Sequence, residues 1–429
     1  MSDLTVYDTV IIGAGAAGIT AAYELIRRGQ SVRILEASSV WGGRVRKIDD
    51  SFAGFPLDIG GSWIHVNGDG HPNAKVLKAI VNNPKVSVTT QTAVDDKPVV
   101  YFKDGERFES PAVGDDNGSV LDEIFVDSSW YDFFATYIYP SVKDAITYNC
   151  PVTYIDYSES NRVYAECESG ATTRAKKAIV TASVEVLRLG IISFSPPIPQ
   201  KLENVLEKFD LRRVLKGFIQ FNETFYEAGT SFQIYPPFYG EEIGYLYMWD
   251  ASYGQDTQNN VLGVLITDRY LDNFAGLDDN KVLSKVLNHI DRVYKGEAAA
   301  SYVNHIFKDW SQEPYILGGW SVTEYDTAQY RSNLWTLLTP LGNKKVYFAG
   351  EAIPRDEWSS TVPSAALSGQ TAACRILGGV FKNLNTNCKF PATKPPTKSP
   401  TKSPTKSPTK SPTKSPTKSP AKRPTKHQR

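Results

Sequence analysis

The sequence predicts an α/β fold: a Rossmann-like nucleotide-binding domain joined to a second, α+β domain of mixed sheet and helices. Three observations carry this. At the N-terminus an apolar strand, Thr9 to Ile12, runs into Gly13-Ala-Gly15-Ala16-Ala17-Gly18; an alanine-rich helix follows as far as Gly29, and a second strand, Ser31 to Leu35, ends at Glu36. Near the other end a strand, Val346 to Ala349, delivers Gly350-Glu351 ahead of a helix beginning near Val362-Pro363. Between them, RRVLKGFIQF at 212–221 reads as a strand outside the nucleotide unit. The chain has 429 residues, 41% of them hydrophobic, enough for two or three domains.

Each part of the first unit has a physical task. Gly13 permits the tight turn, Gly15 lets backbone approach a pyrophosphate at the helix N-terminus, and Gly18 lets the helix pack on the strand. Glu36 stands where an acid accepts from a ribose hydroxyl, which argues against a 2′-phosphate and so against NADP. Directly after it, SSVWGGRVRK offers Gly42, Gly43 and Arg44, a second close backbone approach with a guanidinium for phosphates. LDIGGSWIH offers Gly60-Gly61 as a third, and a nicotinamide site rarely needs these. In RRVLKGFIQF, alternation puts Lys216 on one face with Val214 and Phe218, while Leu215, Gly217, Ile219 and Phe221 face the other way. Taken alone, Lys216 reads as a side chain that lays its methylenes on apolar surface and lifts its ammonium into water.

The four cysteines, Cys150, Cys167, Cys374 and Cys388, lack paired spacing, so they read as ordinary reduced thiols, and no metal site is expected. The first strand starts close to Met1 and no run of 18 apolar residues is present, so the sequons at Asn117 and Asn222 read as chance matches. The expectation is an intracellular protein off the membrane, cytoplasmic, or nuclear on account of its basic C-terminus. Net charge is zero, but 13 of the 47 basic residues and none of the 47 acidic ones lie from Lys382 onward, which leaves the body at −13. From Lys394 to about Ala421 this tail repeats Thr-Lys-Ser-Pro, and residues 391–429 are expected to be disordered for want of apolar side chains to bury. Two readings stay open: a solvated spacer, or a polybasic arm that contacts nucleic acid, another polyanion or the acidic body. Each Ser-Pro-Thr-Lys unit also resembles a proline-directed kinase site, where phosphate would cancel the charge.

The glycine unit, the GGR that follows Glu36 and the terminal segment KKVYFAGEAIPRDEWSSTVPSAALSG together resemble the flavin-dependent amine oxidase superfamily, in its polyamine oxidase and spermine oxidase branch, over most of residues 6 to 380. The resemblance implies FAD, held non-covalently because Gly319 stands where monoamine oxidases carry a tethering cysteine. It implies cofactor contacts from Gly13, Gly15, Ala16, Ala17 and Gly18, from Glu36 and Ala37, and from Gly43 and Arg44. Further implied contacts come from Gly60, Gly61, Ser62 and Trp63, from Val152 and Thr181, from Trp310, and from Gly350, Glu351, Thr361 and Val362. The cofactor domain would then be discontinuous, in pieces 1–75, 141–200 and 340–380, with a substrate domain from 76–140 and 201–339. The helical block at 71–150 is roughly half the length usual in the family, which leaves less chain to wall a substrate tunnel.

On the substrate side the resemblance gives His65, in SWIH, a place at the mouth of an amine tunnel, and makes Trp320, in GGWS, one wall of an amine slot beside the flavin. Thr361 replaces the tyrosine of monoamine oxidases and is closer to spermine oxidases. Lys216 matches the lysine that reaches the flavin ring nitrogen through a water, where it handles charge and protons. Asp115, Asp116, Asp122 and Glu123 are candidates to hold a distal ammonium, or else form a solvated acidic loop. The implied reaction is oxidation of an amine, of the polyamine type, by FAD and oxygen, to an aldehyde with release of hydrogen peroxide. Two other readings stay open: an L-amino-acid oxidase, which needs an arginine facing the flavin, and an FAD-binding scaffold that no longer turns over.

Overall fold

A computed structural model describes residues 5–64, 74–83, 85–92, 100–103, 106–109, 122–234, 244–323, 340–353 and 359–379. The first unit is β1 (Val6–Ile12), α1 (Ala16–Ile26) and β2 (Val32–Leu35). β1 lies inside an eight-stranded sheet, parallel to β2 on one side, with Thr9 opposite Val32, and to the Thr172–Val180 strand on the other, with Val10 opposite Ala178. Because β1 and β2 are parallel neighbours, α1 must cross a sheet face between them. Small residues let it lie close: a Cβ on Gly18 would sit 2.0 Å from the Gly13 carbonyl oxygen. The terminal helix, Val362–Ile376, comes equally near on another side of α1, where a Cβ on Gly369 would lie 2.0 Å from the Ala17 carbonyl oxygen. Helices α2 (Ala74–Val81) and α3 (Trp130–Tyr137), from the stretch expected in the second domain, bury Leu77, Ile80, Trp130, Phe133 and Phe134 in this first core.

A seven-stranded sheet follows, in the order Tyr302–Asp309, Val214–Phe221, Asn260–Thr267, Leu246–Asp250, Ser231–Ile234, Val100–Lys103 and Glu106–Glu109. Its pairings are antiparallel except that of Ser231–Ile234 with Val100–Lys103. In the Val214–Phe221 strand, alternation sends Leu215, Ile219 and Phe221 into a core shared with the Asp279–Tyr294 helix. Val214 and Phe218 point to the opposite core, with Tyr247, Trp249 and Trp310. Gly263 lies directly opposite Trp249, and a Cβ there would stand 2.2 Å from the indole, so the missing side chain is what lets that ring lie across the sheet. Both sheets belong to one compact unit, Met1–Pro391.

The cysteines correct the expectation of reduced thiols. Cys150 and Cys167 form a disulfide, with Cα atoms 5.2 Å apart, and Cys374 is disulfide-bonded too. Sequence spacing could not show this because strand register causes it: the Val152–Asp156 and Val163–Cys167 strands run antiparallel with Val152 opposite Cys167. Among the described residues no helix is long and apolar enough to cross a membrane, and no cluster of three His, Cys, Asp or Glu could hold a metal ion. His65, Asp115, Asp116, Asn117 and the tail at 391–429 lie outside the described residues.

Candidate active site

A cavity of about 1080 Å³ begins at the C-terminal ends of β1 and β2 and reaches the face of the second sheet that carries Lys216. Its first end is built by the glycine turn. Gly13 has φ +101°, Gly15 precedes the first turn of α1, and Gly13, Gly15, Ala16 and Ala17 all line the cavity, so free N–H groups at a helix N-terminus face it. Gly18 does not line it; its task is the close packing of α1 on the Gly13 carbonyl. Thr181 fixes the turn by donating to the Ile12 carbonyl at 2.7 Å. Glu36, buried at the end of β2 beside Ala37, accepts from the Ala14 N–H at 2.7 Å through one oxygen and from Ser38 N–H and Oγ at 2.9 and 2.8 Å through the other. A carboxylate has about four lone-pair sites, so acceptor capacity remains for ribose hydroxyls. Val152 completes this end.

In the middle, residues distant in sequence converge. Arg44 donates from Nη1 to the Gly319 carbonyl at 2.8 Å and to Glu351 at 2.9 Å, and the other Glu351 oxygen accepts from the Ser321 hydroxyl at 2.6 Å. Gly43, Gly319, Gly350 and Glu351 line the wall so fixed. The terminal helix presents its first turn here, where Thr361 caps it by accepting from the Ser364 N–H at 3.1 Å. Val362 and Gly61 meet so closely that a Cβ on Gly61 would stand 2.7 Å from the valine.

Lys216 closes the far end, only 2% exposed. Its ammonium donates to the Gly60 carbonyl at 2.7 Å and to the Ser62 hydroxyl, which itself donates to the Asp58 carbonyl at 3.1 Å. Three rings surround it: Trp63 at 5.2 Å, Trp249 at 5.5 Å and Phe218 at 5.7 Å from Nζ. Burial drives its pKa down to about 7, and the charge of nearby Asp58 opposes that fall. Ring faces favour the cation by about 0.5–2 kcal/mol, which also works for the protonated form. Asp58 is buried, which pushes its own pKa up to about 7; the N–H groups of Trp130 at 2.8 Å and Tyr131 at 3.5 Å, in the first turn of α3, and the charge of Lys216 oppose that rise. Trp310 donates to the Ile59 carbonyl at 2.9 Å, and Trp320 and Tyr247 line the same end.

Sequence reasoning missed Asp58, Tyr247, Trp249 and Arg46. Asp58 had a signal, since LDIGG carries it two residues before Gly60, and YLYMWD has the period-two pattern of a strand facing a site. Of the acidic candidates, Asp122 lines the cavity, while Glu123 exchanges backbone hydrogen bonds with Ile64. An Asp58→Asn variant removes the charge that raises the Lys216 pKa, so Lys216 will lose its proton at lower pH. The basic limb of the pH–rate profile for flavin reduction is expected to move to lower pH; an unmoved limb would make Asp58 a helix cap only.

A ligand that fills this space has an anionic middle and two different ends, so the class is a protein that uses a dinucleotide cofactor. The glycine cradle, the acid for a ribose and the spare donors at the N-terminus of α1 fit FAD. Comparison with known proteins agrees: the flavin containing amine oxidoreductase pattern matches residues 16–123 and 127–377, and the chain belongs to that family. FAD is therefore its cofactor. Polyamine oxidase 7 of Oryza sativa subsp. japonica is 24% identical over 449 residues, covering 84% of this chain and 92% of the relative. Polyamine oxidase 1 of Zea mays is 22% identical over 472 residues, covering 89% and 92%. Among solved structures, wild-type putrescine oxidase bound to putrescine superposes with TM-score 0.68 at 17% identity, covering 87% of this chain and 99% of that one. Cyclohexylamine oxidase from Brevibacterium oxydans IH-35A gives 0.69 at 17%, with the same coverage. These structural likenesses establish the fold.

Proposed function

We propose that the protein oxidises polyamines or their acetylated forms with oxygen, releasing an aldehyde, an amine and hydrogen peroxide. The carrying observation is the make-up of the Lys216 end, walled by Trp63, Tyr247 and Trp320. Aromatic faces accept a neutral amine and attract a cation. Asp122, on the cavity wall, supplies an acid for a distal ammonium. Among the described residues the arginines that line the cavity are Arg44 and Arg46, and both are engaged by carboxylates, Arg44 by Glu351 and Arg46 by Glu313 at 3.3 Å, which counts against their gripping an amino-acid carboxylate. The polyamine oxidases among the relatives support the same substrate class.

When bound, FAD would supply the redox chemistry, taking up the two electrons of amine oxidation for delivery to oxygen. The chain's own residues do the rest. Lys216 holds a proton and a positive charge at Nζ against the Gly60–Ser62 turn, and the Arg44–Glu351 pair fixes the wall between the two ends. Trp310, anchored on Ile59, adds a further aromatic wall at this end of the cavity. Gly319 offers no thiol, so the flavin colour is expected to leave with acid or heat; colour retained in the denatured pellet would show a covalent link.

The test is peroxide release by the purified holoprotein given spermine, spermidine, their N-acetylated forms and a panel of L-amino acids. Peroxide from the polyamines alone is expected. Peroxide from L-amino acids alone would install the rival activity, and none from any would leave an FAD-binding scaffold. For the tail we infer a polybasic arm, supported by the 11 Lys and Arg and no Asp or Glu of residues 391–429, set against the acidic body. Removing residues 391–429 should leave peroxide output unchanged but abolish a DNA affinity that falls steeply with salt in the full chain. Salt-independent binding, or none, would make the tail a spacer.

A further inference from the structure

We propose that the protein matures in an oxidising compartment and carries an N-linked glycan on Asn222. The cysteines open the argument. Cys150 is bridged to Cys167, Cys374 is also disulfide-bonded, and no described cysteine is free. Such bonds persist in oxidising surroundings and are rare where glutathione keeps thiols reduced. The Cys150–Cys167 bridge also has a structural position worth keeping, since Cys150 and Val152 both form the cavity wall.

In such a compartment Asn222-Glu223-Thr224 is an acceptor sequence rather than a chance match. Its location suits that use. It follows directly on the Val214–Phe221 strand, and all three residues are exposed. The backbone N–H of Asn222 is taken by the Ser301 carbonyl at 2.9 Å, while its side-chain amide has no hydrogen-bond partner among the described residues. None of the three lines the cavity, and six residue steps of extended chain, about 20 Å, separate Asn222 from Lys216. A glycan there leaves the site clear.

The chemistry balances with agents of known class. Each bridge forms as two thiols give up two protons and two electrons to a protein disulfide, which becomes a dithiol. At Asn222 the amide nitrogen bonds to the anomeric carbon of an oligosaccharide carried on a polyisoprenoid pyrophosphate; the carbon–oxygen bond breaks, the amide loses one proton and the pyrophosphate carrier leaves.

The test uses full-length protein from the cells that make it, blocked with iodoacetamide at lysis, digested without reductant and mapped by mass, with and without a glycoamidase in heavy-oxygen water. A cross-linked Cys150–Cys167 peptide is expected, together with conversion of Asn222 to heavy-oxygen aspartate. Alkylated Cys150 and Cys167 would overturn the compartment, and bridged cysteines beside an unmodified Asn222 would overturn the glycan. An Asn222→Gln chain made by the same cells should lose the mass of one glycan and keep its peroxide output; an unchanged mass apart from the substitution would also sink the proposal.

Discussion

Lys216→Met is expected to keep the fold and the bound FAD while slowing flavin reduction, reoxidation by oxygen, or both by at least about tenfold, roughly 1.4 kcal/mol of barrier. Methionine has a comparable unbranched length, and its sulfur suits the rings of Trp63, Trp249 and Phe218, so the pocket should stay filled. What disappears is a charge and a set of donors. The Gly60 carbonyl and the Ser62 hydroxyl lose their common partner, and Asp58 loses the cation that favours its ionised form, which raises its pKa further. Stopped-flow measurement of the two half-reactions, with flavin absorbance as the check on cofactor content, separates this from simple unfolding. Parent-like rates in both halves would remove Lys216 from the chemistry and with it the placement of the active site.

Glu36→Ala should weaken FAD binding by about 1–3 kcal/mol, the cost of leaving buried polar groups unpaired. Two losses combine. The ribose hydroxyls lose their acceptor, and the Ala14 N–H, at the heart of the glycine turn, loses a hydrogen bond of 2.7 Å. Glu36→Gln keeps one acceptor oxygen and should fall between the two. Titration of the apoprotein with FAD measures the effect; unchanged occupancy in the alanine variant would mean that β1, α1 and β2 do not hold the nucleotide.

Much of this architecture is legible because it is local. The β1–α1–β2 unit follows from glycines whose spacing matches a strand, a turn and a helix, and the 2.0 Å approach at Gly18 shows why no other residue serves there. The facing of Lys216 with Val214 and Phe218 follows from strand alternation alone. What was not legible depends on long-range pairing. Arg44 meets Gly319 and Glu351 across 275 and 307 positions, and no local pattern encodes such a contact. Asp58 has its surroundings fixed by α3, whose first two N–H groups reach it across 72 and 73 positions. The Cys150–Cys167 bridge likewise waited on the register of two antiparallel strands.

The most direct test of the central claim is anaerobic mixing of the purified holoprotein with spermidine and spermine, followed by the absorbance of the oxidised flavin. The geometry around Lys216, Trp63, Tyr247 and Trp320 predicts that this absorbance bleaches with at least one of the two and returns when oxygen is admitted. A flavin that stays oxidised with both, and with their N-acetylated forms, would contradict a polyamine-oxidising site.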